Sequence, residues 1–371
     1  MKIIKRVFGI YLVLILSLIL VSCKEPEQPE VKPEVTEINV IEYQESIYLG
    51  EQYDESSVKV EVKFNDNTSK IYSGEDLLIG YNDFDMYTIG EYTLKVRIIP
   101  LNKVEDITVS VVRRSIKILM IANSFGDDTV QWVHEIGNDL GIDFTIANLY
   151  IGGCILATHL SNLESKAKAY EYVTYNKNTQ KWSRIPNTSI QGALEKEDWD
   201  YISLQQGSYE SGRAESYGTI DTIMDGILAL KPNVEFLWNM TWAYQQDSGH
   251  SSFHIYNHDQ MTMYNGIINA VKTKVVPNER FKYIIPNGTA VQNARTSILG
   301  DTFCRDQYCH LTLDLGRYIA GLTLVATVTG VDISTVKYSP NLPTLEKAIA
   351  IDAVLNAIKD PYTVTQSKYK G

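Results

Sequence analysis

Between residues 35 and 112 apolar and polar positions alternate with a period of two. The runs 38–41, 58–64, 92–98 and 107–111 each show it, and Asn65-Asp66-Asn67 and Ile89-Gly90-Glu91 punctuate them as turns. No helical stretch of useful length interrupts this pattern, so the region is expected to be a small all-β sandwich. After Arg113-Arg114 the period changes. Strand-like and helix-like stretches alternate over 116–121, 130–140, 144–149, 199–205, 217–230, 235–240, 259–274 and 312–329. Such alternation predicts a mostly parallel sheet covered by helices, with ligands at the carboxyl ends of its strands. Residues 170–187 break the rhythm. They are polar and carry Tyr172, Tyr175 and Trp182, which predicts a β-hairpin insertion near the site.

Charge and the chain's beginning narrow the picture. A net charge of −11 without a basic cluster argues against a nucleic-acid partner. Lys2, Lys5 and Arg6 precede an aliphatic run over 7–21 that is short for a membrane span and stops at Leu20-Val21-Ser22-Cys23. That junction resembles the bacterial lipobox, which implies an acylated Cys23 as mature N-terminus and a membrane-anchored lipoprotein on the bacterial cell surface. Lys24-Glu25-Pro26-Glu27-Gln28-Pro29-Glu30 continues as an extended charged spacer. The expected divisions are a signal peptide (1–22), a linker (23–35), an all-β domain resembling bacterial Ig-like modules (36–113), an α/β domain (114–360) and a tail (361–371). The Ig-like module is expected to act as a spacer rather than an adhesive, since the sequence shows no aromatic stripe in it. Of the remaining cysteines, Cys304 and Cys309 are the expected disulfide pair, with Cys154 left over. No zinc-like spacing occurs, and neither a metal nor another cofactor is expected.

The candidate chemistry lies in two places. Ile116-Lys117-Ile118-Leu119-Met120-Ile121-Ala122-Asn123-Ser124-Phe125-Gly126 is an apolar strand ending in a small polar turn, the way α/β enzymes present a nucleophile. Far along the chain, Arg305-Asp306-Gln307-Tyr308-Cys309-His310-Leu311 brings an acid and a histidine close together. Serine, histidine and aspartate are the nucleophile, base and orienter of acyl transfer. With Tyr150-Ile151-Gly152-Gly153-Cys154 and Gln205-Gln206-Gly207-Ser208-Tyr209, these blocks resemble the SGNH (GDSL-like) hydrolase superfamily over 116–358. The resemblance implies a three-layer, flavodoxin-like α/β domain. It also implies Ser124 as nucleophile, His310 as base and Asp306 as its orienting acid, and an oxyanion hole from the N–H groups of Ser124 and Gly153. Two departures stand out. Asp306 lies four residues before His310, one more than the family pattern, with Asp301 as an alternative orienter. The usual third-block asparagine is missing, and Gln206 is the expected replacement donor.

Trp242-Ala243-Tyr244-Gln245 follows the strand at 235–240, where ligands bind, so Trp242 and Gln245 are expected to contact a sugar by stacking and hydrogen bonding. His250, His254 and His258 recur every four residues, but glycine and serines at the start favour a surface lid over a metal site. His134 and His159 are expected to be structural. The function implied is a serine esterase of the cell surface that deacetylates a carbohydrate, or cleaves another ester, through an acyl-enzyme. The alternative is a catalytically impaired SGNH-fold lipoprotein that binds carbohydrate.

Overall fold

The computed structural model describes residues 32–305 and 309–370. The chain divides into two compact units, before and after the Val112–Arg113 bond. The expected signal peptide, Cys23 and most of the linker fall outside the described residues, as does Asp306.

The first unit is all β. Strands β1 (Val35–Glu42), β2 (Ser46–Tyr48), β3 (Lys59–Phe64), β4 (Ser69–Ser73), β5 (Leu77–Gly80), β6 (Gly90–Ile98) and β7 (Lys103–Val112) form two sheets. The orders are β1-β3-β4 and β2-β7-β6-β5, antiparallel except for the β2–β7 pair. The period of two becomes a core: Val60 and Val62 from one sheet join Leu94, Val96, Ile98, Ile107 and Val109 from the other.

The second unit has seven further strands: β8 (Arg114–Ala122), β9 (Ile142–Tyr150), β10 (Tyr170–Asn176), β11 (Lys181–Thr188), β12 (Tyr201–Leu204), β13 (Glu235–Asn239) and β14 (Phe281–Ile285). They form one sheet in the order β11-β10-β9-β8-β12-β13-β14. β9, β8, β12, β13 and β14 run parallel, giving the 2-1-3-4-5 order of flavodoxin-like sheets. The hairpin β10–β11 adds to the β9 edge antiparallel. Residues 118–122 of β8 are fully buried, as expected of the first strand in a sheet covered on both faces.

The helices are α1 (Ser124–Val130), α2 (Val133–Asp139), α3 (Leu156–Ser165), α4 (Ile190–Leu194), α5 (Ile220–Leu228), α6 (Gln260–Lys274), α7 (Asn287–Arg295), α8 (Leu315–Thr329) and α9 (Thr344–Lys359). The connection from β8 to β9 runs one way along the sheet and those from β12 to β14 run the other. Right-handed crossovers therefore put α1–α2 on one face and α5–α6 on the opposite one. α8 packs on α1 and α2, and α7 and α9 pack on α8, completing the first layer. The helix expected over 130–140 is α2, and α1 precedes it, the two separated at Gln131-Trp132, where the Trp132 indole donates to the Leu313 carbonyl. α7 escaped the sequence reading for a physical reason. All nine of its residues are buried, yet Asn287, Thr289, Gln292, Asn293 and Arg295 are polar, so no apolar stripe exists to be read.

His134 and His159 are both buried. The His134 ring stacks on Tyr175 at 4.2 Å, and burial holds its pKa down to about 4; burial holds His159 down to about 3. A histidine in the unfolded chain titrates near 6.5, so the unfolded state binds more protons below that pH. The stability these neutral rings contribute is full above about pH 6.5 and is lost as pH falls towards their folded values. For His134 alone the loss between pH 7 and pH 5 is about 2 kcal/mol. His134→Phe keeps the stack and removes the titration, so the drop in unfolding free energy from pH 7 to pH 5 is expected to shrink by that amount. Urea unfolding followed by tryptophan fluorescence measures it, since all five tryptophans lie in the second unit. An unchanged pH 7-to-5 difference in the variant would refute the assignment.

Candidate active site

The nucleophile candidate is placed by a tight turn. β8 ends at Ala122, Asn123 is extended, and Ser124 opens α1. The Asn123 carboxamide accepts the Phe125 N–H at 2.9 Å, capping the helix. Gly126 allows the turn to close: a Cβ there would sit 2.8 Å from both the Ala122 Cβ and the Asn148 Oδ1. Ser124 Oγ lies 2.9 Å from His310 Nε2, two half-buried groups joined across 186 positions of sequence.

The histidine is held by its backbone on both sides. The Trp242 indole donates to the Cys309 carbonyl at 2.7 Å, and the Leu311 N–H donates to Asp128 Oδ2 at 2.8 Å. Arg305 N–H donates to the His310 carbonyl, closing the loop on itself. Asp128 is 0 % exposed and stands one helical turn beyond Ser124 on α1. Its other oxygen faces the Arg317 guanidinium at 2.8 Å. Burial pushes the Asp128 carboxyl upward, against the pull of Arg317 and of the Leu311 N–H.

Beneath this pair a row of carboxamides crosses the sheet. Asn287 donates to Asn239 (2.7 Å), Asn239 to Gln205 (2.8 Å), and Gln205 to Asn123 (2.7 Å). Asn123 Nδ2 then donates to the Cys154 carbonyl at 3.0 Å. The row thus ties the carboxyl ends of β14, β13, β12, β8 and β9 together in order. The four amide residues are buried, and Thr129 of α1 accepts from Asn239 at 3.2 Å. Asn123 and Gln205 lay within the sequence blocks read above, but no residue of the row was given a role there. The available signal was that four apolar runs each close on an amide: Ala122-Asn123, Leu204-Gln205, Trp238-Asn239 and Ile285-Pro286-Asn287.

Residues 117–357 match the family model described as Domain of unknown function (DUF4886). The chain belongs to the DUF4886 family. A crystal structure of a DUF4886 family protein from Bacteroides uniformis is 38% identical, with a TM-score of 0.65, covering 69% of this chain and all of that one. Two more distant solved structures are a putative SGNH hydrolase from Slackia heliotrinireducens and a Clostridium thermocellum family 3 carbohydrate esterase. The first is 17% identical over 58% of this chain and 100% of its own, and the second 13% identical over 64% and 100%, each with a TM-score of 0.36. At those scores they assign no chemistry to this chain. No curated protein matches it.

Within the DUF4886 domain the expected site residues part company. Gly153 has φ +62°, in the turn that Asn123 holds through the Cys154 carbonyl, so its loop lies against the nucleophile segment. Gln206 is not available as an oxyanion donor. Its Nε2 donates to the Ser216 carbonyl and Oγ at 3.0 and 2.8 Å, and its Oε1 accepts from Leu156 N–H and Gly207 N–H. The neighbouring Gln205 faces the serine turn instead, because adjacent residues of a strand point to opposite sides. Trp242 does not present a ring to a sugar. It is fully buried, stacked on Phe125 at 4.2 Å, and serves the histidine loop. Gln245 is half-buried and donates to Asp247 in its own loop, with no bond towards Ser124 or His310. Asp301 is occupied by the Gln246 N–H, Gln260 and Arg295.

The expected Cys304–Cys309 disulfide is not formed. Cys304 Sγ lies instead beside the Cys309 carbonyl and the Arg295 guanidinium, in an isolated bridge between Cys304 and Leu311. Of the three spaced histidines, His250 caps the 3-10 turn Ser251–Tyr256 and His254 bonds the Ser251 carbonyl, so they do not form one helical face. His250 is held below its usual pKa by burial and then by the charge of His310. Among the described residues no group of metal-ligating side chains converges.

Gln205→Leu tests the amide row. It strips a donor from Asn123 and leaves Asn239 Nδ2 facing an apolar side chain, at a cost of about 1–3 kcal/mol. A fall of that size in unfolding free energy, read by tryptophan fluorescence, is expected. A neutral result would mean the row is incidental to the fold.

Proposed function

We propose that the DUF4886 domain is a serine esterase of the SGNH type and that its substrate is an O-acetylated carbohydrate. The observation that carries this reading is the 2.9 Å contact between Ser124 Oγ and His310 Nε2 at the carboxyl edge of a parallel sheet. His310 Nε2 takes the serine proton as Oγ attacks the ester carbonyl carbon. The Ser124 and Gly153 N–H groups face the oxyanion, and collapse of the intermediate expels the sugar oxygen, which recovers the proton from His310. A water molecule deprotonated by His310 then cleaves the acyl-enzyme, releasing acetate and free serine. Asp306 is the proposed orienter of the imidazole; it stands outside the described residues. A lipid anchor at Cys23 would hold the enzyme at the bacterial surface, where glycans are met, and the carbohydrate preference rests on that and on the family resemblance.

One observation keeps the binding-protein reading in play. With Gln206 committed to Ser216 and Leu156, two backbone donors remain where related sites use three. A missing oxyanion donor costs about 3 kcal/mol, or roughly a hundredfold in rate, which slows an esterase without abolishing it. A fluorophosphonate probe is therefore expected to label the purified protein at Ser124 and to leave Ser124→Ala and His310→Ala unlabelled. Acetate release from acetylated xylan or pectin is expected alongside. No label and no turnover of p-nitrophenyl acetate would leave the binding protein as the surviving reading.

Asp128 supplies a second test. Asp128→Ala frees the Leu311 peptide and is expected to slow labelling and kcat by ~10–100-fold, with KM little changed, because only the base is misplaced. Asp128→Asn retains an acceptor for Leu311 N–H and should recover most of that loss. Equal activity in wild type and Asp128→Ala would show that the histidine loop needs no such anchor.

A further inference from the structure

The first unit carries a cavity that has no part in the Ser124 chemistry. Its volume is about 470 Å³, within the ~300–1,000 Å³ of ordinary ligand pockets. Two loops build it. The segment after β2 contributes Gln52 and Glu55, and the β5–β6 loop contributes Tyr81, Phe84, Asp85 and Tyr87. The loops are tied by the Gly50 N–H, which donates to the Met86 carbonyl at 2.8 Å. Gly50 sits at φ +84°, where an L side chain is strained.

The lining is organised before any ligand arrives. Tyr81 OH donates to Glu55 Oε1 at 2.6 Å, fixing both the ring and the carboxylate. Asp85 Oδ1 accepts the Tyr87 N–H at 2.9 Å and Oδ2 accepts Thr88 Oγ1 at 2.7 Å, so the loop holds its own shape. Phe84 packs between Tyr81 and Tyr92, with ring centroids at 5.6 and 5.4 Å. Tyr87 remains 69 % exposed, although its neighbours are pinned. A large ring left in water on an ordered loop gains nothing from burial, and beside other rings and two carboxylates it is placed for binding.

We propose that this cavity binds a neutral saccharide unit of a glycan, giving the first unit a recognition role. Ring faces pack on the C–H faces of a sugar, while Glu55, Asp85 and the Gln52 amide accept from its hydroxyls. The absence of any lysine or arginine among the lining residues, with two carboxylates present, disfavours an acidic sugar. A proline-rich peptide also docks on aromatic rings, but it offers carbonyl oxygens that need donors. The Tyr81 hydroxyl is already spent on Glu55, and the Glu55 and Asp85 carboxylates would face a peptide with few N–H groups to offer. A cation is disfavoured because no group of three ligating side chains forms among the described residues.

This inference is independent of the esterase reading and is tested separately, in full-length protein carrying Ser124→Ala so that no turnover intervenes. Affinity electrophoresis would use xylan, glucomannan and β-glucan as neutral probes, with polygalacturonate and a proline-rich peptide (by fluorescence anisotropy) as comparators. Retardation by at least one neutral polysaccharide is expected, weakened about tenfold by Tyr87→Ala and by Glu55→Gln in the same background. Thermal unfolding should be unchanged in Tyr87→Ala, because that ring is mostly exposed. Failure of all three neutral probes to bind would overturn the proposal. So would binding that survives both substitutions, or binding confined to polygalacturonate or the peptide.

Discussion

The candidate site depends on the buried carboxamide row that runs from Asn287 to Asn123. A primary amide carries a donor and an acceptor on a short, planar group, so amides can bond head to tail across strands spaced about 4.8 Å apart. Here an amide at or just beyond each strand's end satisfies the next, and the row ends on the residue that caps the nucleophile's helix. In a low-dielectric interior such bonds reinforce one another, and an amide left unpaired is costly. The row therefore couples the turn at Ser124 to four other strands. Movement of any strand end would leave a buried donor or acceptor without its partner.

The second constraint is that α1 carries two functions on one face. Ser124 opens the helix and Asp128 stands a turn later, receiving the peptide N–H that follows His310. The spacing between serine and imidazole is thus governed by one turn of helix rather than by a long, independently folded loop. Trp242 contributes from the other side, stacked on Phe125 and bonded to the Cys309 carbonyl. Gly126 closes the same arrangement by letting α1 lie against β8 and Asn148 without a side chain between them.

These features explain what was legible in the sequence and what was not. Ser124 and His310 were legible because an apolar strand ending in a polar turn, and a histidine entering a final helix, are local patterns. The parallel sheet covered by helices was legible from the alternation of strand-like and helix-like runs, whereas its flavodoxin-like order came only from the family resemblance. Gln206 was named as the donor and Gln205 was not considered, because local sequence does not say which of two adjacent amides faces the site. That choice is made by the face of β12 that meets Asn123 and Asn239. Trp242 was mistaken for a ligand contact because a strand end is equally a place for ligands and for core. In the fold it is buried in the core and stacked on Phe125.

The chain alone determined periodicity, the alternation of strands with helices, and the residue types capable of acyl transfer, since these are properties of neighbours in sequence. The tertiary structure decided what required partners from distant segments. It selected Gln205 as the bonded amide, Asp128 as the anchor of the histidine loop, and the aromatic cavity of the first unit, whose lining comes from two loops about thirty residues apart. Hydrogen bonds and ring contacts have a reach of a few ångströms, so which groups they join is settled only when the fold has brought them together.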